Sequence, residues 1–173
     1  MPARSESESG ATKSRSTVER TSERDIVVTR TINGPARLVF EAWTKPELLR
    51  QWWMPKDAPL TLLSLDADVR AGGKYRLVFD VGGSQMEVFG KYLEVTPHSR
   101  LVWTNDEGGE DGAITTVTFE EKAGRTLVVV HDLYPSKQAL DEAIASGATS
   151  GMPAQLDQLD EFIVARGASG ARS

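Results

Sequence analysis

The 173-residue sequence contains no cysteine. It can therefore hold no disulfide framework, no thiolate-bound metal and no cysteine nucleophile, and a reducing, cytoplasmic setting is expected. Histidine is nearly as scarce, and the two present, His98 and His131, do not have the four-residue spacing of a helical zinc site. Long apolar runs are missing too: residues 127–130 form the longest strongly apolar stretch, far short of the ~20 residues that cross a bilayer. Arg4, Glu6 and Glu8 stand where a signal peptide has its apolar segment, so export by that route is not expected. Positive charge is in deficit, with a net charge of −5 and no basic stripe, which argues against a general nucleic-acid binder. No phosphate loop precedes Gly73-Lys74, because Asp68 occupies the earlier glycine position and Tyr75 the hydroxyl position. The acidic stretch 106–112 lacks the alternating ligands of a calcium loop and reads as a solvated hairpin loop. No metal site and no cofactor are expected.

What is present is an ordinary globular composition, 39% hydrophobic and 26% charged, at a length that suits one domain. Residues 1–24 hold hardly any large apolar side chain and read as a disordered tail, with residues 167–173 as a second loose end. Between them, residues 25–166 are patterned throughout. Ile26, Val28 and Ile32 alternate on one face of a first strand, and Arg30 falls on the same face, where burial would demand an ion-pair partner. Pro35 suits the first position of a helix carrying Val39, Phe40 and Trp43 on one side, and Lys45-Pro46 restarts a second short helix. Six strand-like runs follow, at 60–69, 73–80, 84–95, 100–104, 113–119 and 126–134, joined by short connections rich in glycine or proline. Ser136 is a plausible N-cap for a short helix. A last helix from Met152 to Arg166 carries Met152, Leu156, Leu159 and Phe162 or Ile163 as a stripe, with Asp157, Asp160 and Glu161 facing elsewhere.

About seven antiparallel strands with one apolar face need a cover, and the last helix is the only long one available. The expected fold is α+β: a curved sheet wrapped around the C-terminal helix, with the two short helices after strand 1 plugging one end. One helix about 10 Å across cannot fill that concavity, so a residual cavity between sheet and helix is expected.

At this point the residues resemble a known family. The marks are Arg30 with Gly34-Pro35, the run 39–49 (VFEAWTKPELL), Gln51-Trp52-Trp53-Met54-Pro55, Gly72-Gly73, the run 90–95 (GKYLEV) and the run 100–104 (RLVWT). Together they are similar to the START-like SRPBCC superfamily with its helix-grip fold, in the branch of activator of Hsp90 ATPase homologue-like proteins. Two positions depart from that pattern: Met54 replaces a common glycine, and Met152 a common tryptophan.

The candidate ligand-binding residues are Trp52, Trp53, Met54, Tyr75, Phe79, Met86, Trp103, Val117, Val129, His131, Met152 and Leu156. Trp52 and Trp53 are about 100° apart on a helix, so either one packs inside while the other guards a pocket mouth, or both pack as plugs. Tyr75, Leu77 and Phe79 share a strand face, which makes Tyr75 the better polar anchor on that strand. Leu127, Val129 and His131 share another, and the resemblance implies that this face looks toward the helix. His131 and Tyr75 are the only weak candidates for acid–base catalysis. The leading expectation is binding of a small hydrophobic or amphipathic molecule, lipid-like in character. The resemblance implies two alternatives: Hsp90-type co-chaperone activity in a stress response through the outer surface, and a polyketide cyclase- or hydrolase-like reaction. Partners are thus a small ligand or a chaperone, with no nucleic acid and no membrane insertion, in a monomer or homodimer.

Overall fold

The computed structural model describes residues 16–54, 60–106, 112–146 and 152–170. One antiparallel sheet is built from β1 (Thr17–Arg20), β2 (Asp25–Ile32), β3 (Leu60–Ala67), β4 (Lys74–Val81), β5 (Ser84–Thr96), β6 (Arg100–Thr104), β7 (Ile114–Lys122) and β8 (Arg125–Leu133). Their order is β1-β2-β8-β7-β6-β5-β4-β3. Helices α1 (Ala36–Thr44) and α2 (Pro46–Leu49) lie between β2 and β3, and α3 (Lys137–Ala145) and α4 (Met152–Gly170) follow β8. A meander from β3 to β8 thus returns to pair with β2, and the segment holding α1 and α2 must carry the chain from β2 to the far edge. Gly82 (φ 59°) and Gly83 (φ 95°) make the β4–β5 turn, where a two-residue hairpin needs left-handed backbone.

The sheet has eight strands rather than seven, because Thr17–Arg20 belongs to it. The expectation of a loose tail through residue 24 is corrected here. Nothing on β1 is buried, so apolar packing does not order it. Its backbone pairs with the open edge of β2, with Val18 opposite Val28, and Arg20 ties it to Asp141 at 2.8 Å. Edge pairing supplies hydrogen bonds that a composition argument does not count. Residues 1–15 and 171–173 lie outside the described residues, and α4 runs on past the expected end at Arg166.

The core forms where β2, α1 and α4 meet. Ile26, Val28, Arg30 and Ile32 all point inward, as alternation requires. Pro35 is the N-cap of α1 rather than its first residue, and the first helical N–H, of Ala36, donates to Glu121 Oε1 at 2.9 Å. Val39, Phe40 and Trp43 are buried from α1, and Leu156, Leu159 and Ile163 from α4. Gly34 passes beneath α4 so closely that a β-carbon there would collide with Ile163. Arg30 finds its partners on α4, Asp160 at 3.3 Å and Asp157 at 3.6 Å. Those two acids therefore turn toward β2 instead of away from the buried stripe, and Asp160 also accepts the Asn33 backbone N–H at 2.7 Å.

Candidate ligand cavity

Helix α4 fits so tightly that Leu156 and Leu159 are 0% exposed, and the hollow lies further along the sheet than expected. It comprises two adjoining recesses that share Trp53, Trp103 and Asn105. The first, of about 200 Å³, sits between the α1–α2 segment and strands β3–β6. Tyr75, Leu77 and Phe79 of β4 form its floor with Val88 and Tyr92 of β5, while Trp43, Leu49 and Trp53 close it from above. The second, of about 560 Å³, opens between the ends of β6–β8 and the helices α3 and α4. Thr115, Asp132 and Tyr134 face it from the sheet side, Ala139, Glu142 and Ala143 from α3, and Met152 and Gln155 from α4.

Trp43 is the hub of an aromatic wall. Its ring centroid is 4.9 Å from Trp52, 5.8 Å from Trp53 and 5.9 Å from Trp103. Trp52 is core, 1% exposed, with its indole N–H donated to the Ala42 carbonyl at 3.0 Å. Trp53, its neighbour on the turn, is half-buried and borders both recesses. Two glutamines of α4 hold that turn: Gln155 Nε2 donates to the Trp53 carbonyl at 2.6 Å, and Gln158 Nε2 to those of Trp52 and Met54, each at 2.8 Å. Three bonds to backbone carbonyls fix the indoles more firmly than packing alone.

A chain of polar groups runs across the strands from one recess to the other. Tyr75 donates its hydroxyl to the Thr104 carbonyl at 2.7 Å, with Asn105 Oδ1 at 3.4 Å. Asn105 Nδ2 donates to the Ala113 carbonyl and to Thr115 Oγ1, both at 2.9 Å, so both amide hydrogens are used and the side chain's orientation is set. Thr115 in turn donates to Asp132 Oδ1 at 2.5 Å. Gly90 lets β5 pass close to the Thr104 carbonyl that accepts the Tyr75 hydroxyl, since a β-carbon there would run into it. Burial pushes the Asp132 carboxyl above its ordinary 3.8, opposed by the Thr115 hydrogen bond and by nearby His131. Burial also pushes the Tyr92 phenol up to about 12, so it stays neutral.

The strand register corrects one expected face. Ile26 pairs with Asp132 and Val27 with His131, so Asp132, Val130 and Val128 share the inward face of β2. Leu127, Val129 and His131 point outward, and His131 Nε2 meets Asp25 Oδ1 at 2.5 Å. Both faces of β8 are apolar, so alternation could not choose between them, whereas pairing with β2 does. Val129 and His131 therefore line neither recess, and Asp132 is the acid that the strand turns inward. Of the other expected residues, Trp53, Tyr75, Phe79 and Trp103 line the first recess, and Met152 joins Trp53 and Trp103 in the second. Trp52, Val117 and Leu156 belong to the packed core, Met86 is 51% exposed at the β4–β5 hairpin, and Met54 lines neither recess. Among the described residues no cluster of three or more His, Asp or Glu could hold a metal ion, and no helix is long and apolar enough to cross a membrane.

A curved antiparallel sheet closing on one long helix, with an aromatic hollow beside it, is the helix-grip class of protein. The chain belongs to the family described as activator of Hsp90 ATPase homolog 1-like protein, which it matches over residues 33–163. Among solved structures it is similar to a protein from Nitrosomonas europaea, at 24% identity and TM-score 0.76, covering 85% of this chain and 98% of that one. One from Rhodobacter sphaeroides aligns at 19% identity and TM-score 0.78, covering 87% and 99%. One from Staphylococcus epidermidis reaches 29% identity at TM-score 0.69, covering 87% and 94%. No curated protein matches the sequence.

Proposed function

We propose that the protein binds a small hydrophobic or amphipathic molecule, with its apolar part in the first recess. The observation that carries this reading is the wall itself: Trp43, Trp53, Tyr92, Trp103 and Phe79 converge on a half-open recess, with Tyr75 and Asn105 among its few polar groups. Such a lining offers apolar area at about 25 cal/mol per Å² buried, and a small number of anchors to orient what enters. The family's fold commonly holds hydrophobic ligands, which supports the same reading. A thermal-shift panel of medium-chain alcohols, fatty acids and flavonoids tests it. At least one compound should raise the melting temperature saturably, and Trp53→Ala should weaken that compound's binding. A flat response across the panel would overturn the proposal.

A further inference from the structure

The second recess differs from the first in the sign of what it offers. Its ionisable side chains are Asp132, Glu142 at the rim and the phenol of Tyr134, and no lysine or arginine lines it among the described residues. The cations nearest to it are already engaged: Lys137 Nζ on α3 and Arg20 NH2 on β1 both bind Asp141 at 2.8 Å, and Arg24 Nε donates to the backbone carbonyl of Tyr134, a lining residue, at 2.9 Å. His131 lies on the opposite face of β8, against Asp25. Asp132 accepts one hydrogen bond, from Thr115, and its other oxygen has no donor among the described residues.

A half-buried carboxylate whose nearest ionisable base, His131, is turned to the other face of the strand is costly to keep charged, and a ligand bringing positive charge would relieve that cost. The indoles of Trp53 and Trp103 border the same recess and offer π faces that attract a cation. We propose that the second recess receives the ammonium or protonated amine end of an apolar ligand, with Asp132 as its counter-ion. This rests on the proposed function, in which the apolar part of the same molecule occupies the first recess. A carboxylate or phosphate head would instead meet Asp132 and Glu142 and be repelled, so the site selects against anionic lipids.

Three probes that share an eight-carbon chain separate the two ideas: octyltrimethylammonium, octanol and octanoate, each titrated calorimetrically into the full chain at pH 7. The ammonium should bind about tenfold more tightly than the carboxylate, as ion-pair attraction to Asp132 with added cation–π attraction warrants. Asp132→Asn should abolish that preference, bringing the ammonium and the carboxylate to similar affinity, and a melting curve of the variant confirms that it is folded. If octanol binds but the ammonium is held no more tightly than octanoate, the head-group inference is overturned and the cavity reading stands. A preference that survives Asp132→Asn overturns it equally. Failure of all three probes would remove the cavity reading, and this inference with it.

Discussion

The two recesses share Trp53, Trp103 and Asn105, yet they are built from opposite materials. The first is what remains when a curved sheet meets two short helices whose aromatic side chains cannot fill the angle between them. Its lining consists of residues that any apolar core would use. The second holds a carboxyl group in surroundings that disfavour its charge, which works against folding. The difference teaches which end of the hollow follows from architecture and which end costs stability without architectural need. Groups of the latter kind concentrate at functional sites.

The largest expected effect separates wall from core. Trp52→Ala removes a fully buried indole and its bond to Ala42, and should cost about 3–5 kcal/mol in denaturant unfolding. Trp53→Ala, at a half-buried position facing empty space, should cost less than half of that while reducing ligand affinity. Equal losses for the two variants would mean that Trp53 is core and that the first recess is not an accessible space.

A smaller effect probes the acid end. The folded-state value of Asp132 lies above its unfolded value of 3.8, so the native state holds the proton more strongly. Stability contributed by this group is then present below 3.8 and lost as pH rises from there through the raised folded value. Asp132→Asn, which can still accept the Thr115 hydrogen bond, should melt higher than the parent at pH 7. The difference should vanish below pH 3.8, where both forms of the parent are protonated. A variant that melts lower at pH 7 would show that the carboxylate is already neutralised, and the contrast between the recesses would fail.

Much of the frame was legible in the residues. Ile26, Val28, Arg30 and Ile32 alternate onto one face, Leu156, Leu159 and Ile163 recur at helical spacing, and Gly82-Gly83 marks a hairpin, because each signal is local. The polar chain was not legible, since Asn105, Thr115 and Asp132 sit on or beside three strands and meet only through register, with Thr115 directly opposite Asp132. For the same reason the inward face of β8 could not be read from a run that is apolar on both sides. Strand β1 escaped notice because backbone pairing, not burial, holds it. The hollow's position depended on how closely α4 seats on β2, which Gly34 decides by having no β-carbon under Ile163.

The most direct test of the account follows the four indole N–H signals by 15N-resolved NMR during titration with octanol, assigned through single Trp→Phe variants. The signals of Trp53 and Trp103 should shift saturably together, while that of Trp52, held on the Ala42 carbonyl in the core, should stay in place. Absence of any saturable shift at Trp53 and Trp103, or a shift of the Trp52 signal as large as theirs, would contradict the account.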